Sequence, residues 1–278
     1  MIRLTVRCRE SDAERVLAEL LVVAPGGVEE EHGDGWVEYS IYGPPGEVPD
    51  LPPLSADDGL LEVSAQEIPD DWADRWRDFH RPVEIDGGRI VVRPSWTDEA
   101  PERDGPAPEP AVDVVIDPGQ AFGTGAHATT SVCLEFLLEL ADAGEASGPL
   151  VDLGTGSGVL AITAAKLGWG PVLGVDSEVA AVEAAAENAE VNGVEVELRR
   201  VNLRQEPAPT ARTVVANLTA PLLLDVAARL EEAPAVLVCS GLLATEIDAV
   251  KEGFAPVGLE ASATQISGDW AGILFRAA

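Results

Sequence analysis

Seven consecutive residues, Asp152-Leu153-Gly154-Thr155-Gly156-Ser157-Gly158, combine a carboxylate with glycine at every second position. Leu150-Val151-Asp152-Leu153 leads in and Val159-Leu160-Ala161-Ile162 leads out, the pattern of a buried strand turning sharply into a helix. Glycine suits such a turn because a Cβ would obstruct both the tight backbone and the close approach of a ligand. A dinucleotide fingerprint places its third glycine one residue later, where this chain has Val159. A dinucleotide also brings a pyrophosphate to the helix N-terminus, whereas S-adenosylmethionine has none. The pattern leans towards the sulfonium methyl donor.

A second carboxylate strengthens this reading. Val172-Leu173-Gly174-Val175-Asp176 reads as the next strand, with Asp176 at its carboxyl end, 22 residues beyond Gly154. An ionised carboxylate there accepts hydrogen bonds from both ribose hydroxyls of a nucleoside. A plain α/β turn with a helix-capping Asp would use the same residue types without a ligand. Asp152 has two readings: a partner, direct or through water, for the donor's methionine ammonium, or an anchor that fixes the glycine loop. Upstream, Phe122-Gly123-Thr124-Gly125 is a flexible polar turn before a helix capped near Thr129 or Thr130, suited to folding over a bound donor. Thr130 can equally serve as a cap, and a lone His127 in a loop is more often structural than a general base.

These residues need a sheet to hold them. From residue 112 onward, strand-like runs (149–153, 171–175, 194–201, 212–217, 234–239, 254–263 and 270–277) alternate with helix-like runs (158–167, 177–192, 220–231 and 244–252). A further helix over 129–141 precedes them. The alternation predicts a doubly wound, Rossmann-like α/β sheet over 112–278. Residues 1–67 carry a strand over 2–8, a helix from Ser11 to about Val22, a hairpin over 27–42, a loop over 43–58 and a strand near 60–67, predicting a small ferredoxin-like α+β domain. Residues 68–111 read as a linker: a helix with Trp72, Trp76 and Phe79 on one face, the short strand Ile90-Val91-Val92-Arg93, and a proline-rich segment over 97–111. The aromatic face suits interdomain packing better than recognition.

Composition limits the partners. With 49 acidic against 18 basic side chains, net charge −31, the surface repels phosphate backbones and attracts a basic protein. The same excess is also what a salt-adapted or GC-rich genome produces. No apolar run reaches the roughly 18 residues of a membrane helix, and Met1–Val6 alternates like a strand with no secretory core, so the expected location is cytoplasmic. Cys8, Cys133 and Cys239 are far apart, which argues against a disulfide framework or a metal site. A monomer is favoured.

The run Asp117-Pro118-Gly119-Gln120-Ala121-Phe122-Gly123-Thr124-Gly125-Ala126-His127-Ala128-Thr129-Thr130 resembles the signature of the ribosomal protein L-eleven methyltransferase family (PrmA). Trp72 to Pro94 resembles that family's interdomain segment, Val214-Val215-Ala216-Asn217-Leu218 its fourth-strand motif and Ser240-Gly241-Leu242-Leu243 its fifth. The resemblance covers roughly residues 70–278. It implies a class I methyltransferase fold, with S-adenosyl-L-methionine held by Thr130, Gly154, Asp176 and Asn217, and by Phe122, Thr124 and Gly156 as weaker additions. Two departures stand out: Ala126 and Ala128 flank His127 where the family has Thr and Pro, and Thr155 stands where Cys is frequent.

The implied reaction is methyl transfer to amines, a lysine side chain and/or an N-terminal amine, of a large-subunit ribosomal protein. Asn217 suits an amine acceptor, because its carbonyl, or the backbone carbonyls after it, takes an amine hydrogen bond without adding charge. Amide-methylating enzymes carry Asn-Pro-Pro-Tyr at this place, and this chain has Asn217-Leu218-Thr219-Ala220-Pro221. Other readings stay open here: another protein lysine or small-molecule amine as acceptor, a nicotinamide-dependent oxidoreductase, or a non-catalytic binding protein on the same fold.

Overall fold

A computed structural model of the chain describes residues 2–13, 16, 17, 20, 28–33, 35–43, 62–67, 82–97, 112–117 and 127–278. Phe122 and Thr124 lie outside the described residues, as do Trp72, Trp76, Phe79, residues 44–58 of the expected loop over 43–58 and most of the proline-rich segment. The chain divides into two compact units, Met1–Phe79 and His80–Ala278.

In the smaller unit, β1 (Ile2–Arg9), β2 (Glu29–Gly33), β3 (Trp36–Gly43) and β4 (Glu62–Glu67) form an antiparallel sheet in the order β2-β3-β1-β4. This is the strand order of a ferredoxin-like domain. Period-two alternation explains its core: Leu4, Val6 and Cys8 of β1 and Val37, Tyr39 and Ile41 of β3 point to one face. Ala13, Val16 and Leu20, at helical spacing, are helical and buried with them. Tyr39 completes that packing by donating its hydroxyl to the Ala13 carbonyl at 3.1 Å.

The larger unit is built on seven strands: β8 (Leu150–Leu153), β9 (Val172–Asp176), β10 (Glu197–Arg200), β11 (Thr213–Asn217), β12 (Val236–Leu243), β13 (Leu259–Ser267) and β14 (Trp270–Ala277). Their order is β10-β9-β8-β11-β12-β14-β13, with β10 through β12 parallel and β14 antiparallel to both its neighbours. β8 is buried at every position, as a parallel strand covered on both faces must be. Alternation along β11 feeds two cores: Val215 joins the cluster under α1 (Ala128–Asp142) and α2 (Val159–Leu167), while Val214 and Ala216 join the one under α4 (Ala220–Arg229) and α5 (Ile247–Phe254). α3 (Val179–Val191) packs on β9 and β10. Among the described residues, no helix is long and apolar enough to cross a membrane.

Three expectations shift. The third strand was expected over 194–201 but pairs over Glu197–Arg200, an edge whose Glu197, Arg199 and Arg200 side chains face solvent. The sixth was expected to begin at residue 254, yet Phe254 closes α5, fully buried one helical turn after Val250, and β13 begins only after the turn at Gly258. Most consequentially, the strand assigned to a linker is core. β5 (Val83–Ile85), β6 (Ile90–Arg93) and β7 (Val112–Val115) form a three-stranded sheet whose Ile85, Ile90, Val92, Val112 and Val114 share one buried cluster with Leu134 and Leu137 of α1.

Ile90→Ala is therefore expected to destabilise the larger unit by about 2–5 kcal/mol, the range for truncating a buried aliphatic side chain. Denaturant unfolding measures this, and a loss under about 1 kcal/mol would return these strands to the status of a linker.

Candidate active site

The carboxyl end of β8 must reach α2 in five residues. Gly154 adopts φ +75, and the amides of Gly154 and Thr155 both donate to the Val175 carbonyl of β9, at 2.8 and 2.9 Å. The loop is thereby folded across the neighbouring strand. Gly158, at φ +84, opens α2 and offers no side-chain cap. Asp152 supplies it from below: its Oδ2 accepts from the Ala161 amide at 3.2 Å and from the Thr155 hydroxyl at 2.8 Å. Thr155 thus has a specific partner for its hydroxyl. Gly174 makes room for it, since a Cβ there would lie 2.8 Å from Thr155 Oγ1.

Asp152 has no exposed surface, and its Oδ1 has no hydrogen-bond partner among the described residues. It does not line the crevice, so of its two readings the geometry matches the loop anchor rather than the direct ligand contact. Burial pushes its carboxyl up to about 7; the Thr155 and Ala161 hydrogen bonds act the other way, and the charge of Asp176 adds a further upward push.

Above the loop lies a crevice of about 330 Å³ at the point where the chain switches from the β8-β9-β10 side of the sheet to β11-β12. Thr130, Gly154, Gly156, Asp176 and Asn217, drawn from separate segments, all line it. Asp176 Oδ2 accepts from the Gly156 amide at 3.0 Å and Oδ1 from the Glu178 amide at 3.1 Å, which fixes the carboxylate at the rim with lone pairs to spare. The Asn217 side-chain amide donates to Thr130 Oγ1 at 3.1 Å, joining the end of β11 to the first turn of α1.

His127 is the N-cap of α1. Its Nδ1 lies 2.8 Å from Thr129 Oγ1, its ring meets Trp270 edge-on at 4.9 Å, and burial lowers its pKa. It is not among the crevice residues, in keeping with a structural part.

Several lining residues were missed in the sequence. Val201, Asn202, Leu203 and Arg204 follow β10, and Leu218 and Leu222 follow β11. The rule that ligands lie beyond the carboxyl ends of parallel strands points to both places. Asn188 of α3 was missed too: buried, it donates to the Ser157 carbonyl at 2.8 Å and accepts from the Asp117 amide at 2.9 Å, joining the glycine loop to the end of the β7 segment.

The crevice fits S-adenosylmethionine: a fixed carboxylate for the ribose, apolar walls from Val159, Leu160, Leu203 and Leu222, and no further glycine at Val159 to admit a pyrophosphate. Among the described residues, no group of three or more His, Cys, Asp or Glu side chains is placed to hold a metal ion.

An acid whose folded pKa lies above its unfolded value contributes stability that is complete below about pH 4 and is lost as pH rises through about 7. Asp152→Asn lacks that titration. Relative to this variant, the wild-type protein is expected to lose up to roughly 4 kcal/mol across the window, at about 1.4 kcal/mol per pH unit. Denaturant unfolding of both at acid and neutral pH tests the point; a gap between them that ignores pH refutes it.

The chain is similar to known proteins over most of its length. The profile of the family described as ribosomal protein L11 methyltransferase (PrmA) matches residues 53–278. The chain is 39% identical over 209 residues to the ribosomal protein L11 methyltransferase of Symbiobacterium thermophilum, covering 74% of this chain and 65% of that one. It is 36% identical over 233 residues to that of Alkaliphilus oremlandii, covering 81% and 71%. The matched stretch thus spans about two thirds of these relatives' length. The crystal structure of ribosomal protein L11 methylase from Lactobacillus delbrueckii subsp. bulgaricus superposes with a TM-score of 0.60 at 26% identity, covering 71% of this chain and 99% of that one. The chain belongs to the ribosomal protein L11 methyltransferase (PrmA) family and carries its class I, S-adenosylmethionine-dependent methyltransferase fold.

Proposed function

We propose that this protein transfers methyl groups from S-adenosylmethionine to amines of ribosomal protein L11, at a lysine side chain, an N-terminal amine or both. The convergence of Thr130, Gly154, Gly156, Asp176 and Asn217 on one crevice carries the reading.

Bound there, the donor supplies an electrophilic methyl group on a positively charged sulfur. The residues of the chain bind, orient and exclude water. Asp176 accepts from the ribose, with Gly154 and Gly156 letting the nucleoside approach the backbone. The apolar side chains of Leu218 and Leu222 line the crevice beside Asn217 and strip water from the entering amine. Desolvation matters because an amine must be neutral to attack: at pH 7 deprotonation costs roughly 5 kcal/mol for a lysine with pKa near 10.4, and about 1.4 kcal/mol for an α-amine near 8. An apolar pocket and a neighbouring positive sulfur both lower that cost. Asn217, its amide nitrogen engaged by Thr130, keeps a neutral carbonyl for the incoming amine and adds no charge that would hold the proton on.

The net charge of −31 supports recruitment of a basic protein and discourages direct binding of nucleic acid. The setting is cytoplasmic, where ribosomal proteins are made, and the enzyme acts as a monomer. The smaller unit is the substrate-recognition element.

Incubation with labelled donor and purified ribosomal proteins, followed by peptide mass mapping, tests the reaction and identifies the acceptor; absence of label in L11 overturns the assignment. Asp176→Ala is expected to weaken donor binding about 10- to 100-fold, the loss of hydrogen bonds to a charged group worth roughly 1.5–3 kcal/mol, while the protein stays folded. Calorimetric titration reads this directly, with NADH as the control that should not bind.

A further inference from the structure

Leu218 follows Asn217 at the end of β11, half-buried, and lines the crevice. Two glycines hold it from opposite sides. On one side its amide donates to the Ser240 carbonyl at 3.0 Å, and its peptide lies directly on Gly241. Gly241, at φ +87, occupies a bulge where the register of β12 against β14 skips a residue between Ser240 and Leu242. A Cβ at Gly241 would stand 2.5 Å from the Leu218 carbonyl oxygen, 2.8 Å from its carbon and 2.9 Å from its nitrogen. All three are backbone atoms, so no rotamer change relieves the collision. On the other side, the Leu218 side chain lies over the donor loop: Cδ2 occupies the place a Cβ on Gly154 would need.

We propose that Leu218 is a positioning residue that sets the separation between the donor loop and the amine-accepting end of β11, with Gly241 fixing its backbone and Gly154 receiving its side chain. The proposal rests on the methyl-transfer reading above. In-line transfer depends on the distance between methyl group and attacking nitrogen, and a displacement near 1 Å costs on the order of 100-fold in rate. The bulge that admits only glycine at position 241 presses the Asn217–Leu218 segment into place from behind, without touching either ligand.

The test uses the full-length protein, calorimetry with S-adenosylmethionine, and steady-state kinetics with ribosomal protein L11. Gly241→Ala is expected to leave donor affinity within about threefold of wild type while kcat/KM for the acceptor falls on the order of 100-fold. A general loss of structure would lower both together. Because the collision at Gly154 is with a side chain, Leu218→Ala should restore part of the donor affinity lost in Gly154→Ala, yet none of the acceptor turnover lost in Gly241→Ala. That crossed pattern stays measurable on the Gly154 side even where Gly241→Ala fails to fold. Wild-type turnover in Gly241→Ala, parallel loss of donor and acceptor function in that variant when folded, or simple additivity of Gly154→Ala and Leu218→Ala each overturns the proposal. A wild-type protein that binds no donor overturns the methyl-transfer reading and takes this inference with it.

Discussion

A helix that begins on glycine has no side chain of its own to satisfy its first amides, and α2 begins on Gly158. The group that answers is the Asp152 carboxyl, one strand-end earlier and wholly out of water, which holds both the helix start and the Thr155 hydroxyl of the intervening loop. Placing an acid there is unfavourable in itself, as its raised pKa records. What the arrangement secures is a loop fixed from beneath, leaving Gly154 and Gly156 on the upper side of the turn to line the crevice. Polar side chains therefore work on the lower face of the loop and backbone on the upper one.

The rest of the larger unit keeps that loop in register with the other strand-ends. The Val175 carbonyl accepts from the amides of Gly154 and Thr155, Asn188 donates to the Ser157 carbonyl, and Asp176 accepts from the Gly156 amide. Two elements, β9 and α3, thus grip a five-residue turn. Across the switch point, Thr130 and Asn217 are joined by a single hydrogen bond, so the first turn of α1 and the end of β11 present one continuous polar edge. α1 is seated in turn by the buried face it shares with β11, β12 and β14, and by the bidentate pair of Arg276 with Glu145 just beyond its end, at 2.7 and 2.8 Å.

Much of this was readable in the sequence, and the exceptions share a cause. The glycine turn, the second carboxylate and the alternation of β8 to β14 with helices are local patterns, and local patterns survive in a one-dimensional string. Residues 83–93 did not read as core because three- and four-residue strands flanked by glycine, proline and charge look like connections. Their membership in the core depends on α1 and α2, which come later in the chain. Asn202, Leu203 and Leu218 were missed because they line the crevice through tertiary approach, with no spacing to announce them. Asp152 was legible as important but ambiguous in role; only its burial separates a loop anchor from a ligand contact. Phe122 and Thr124 fall outside the described residues, so their part rests on resemblance alone.

The edges of the large sheet carry a consequence for how copies of this protein behave in a crowded solution. β10 offers just four residues, with an Arg199–Glu197 ion pair on its exposed face, and β13 breaks its own ladder with a bulge between Ala261 and Ala263 while exposing Glu260 and Thr264. Short, charged or irregular borders make poor templates for a neighbouring strand. Added to the mutual repulsion of chains bearing −31 each, they disfavour border-to-border stacking, so a protein whose proposed task is to attract a basic partner is also built to avoid its own kind.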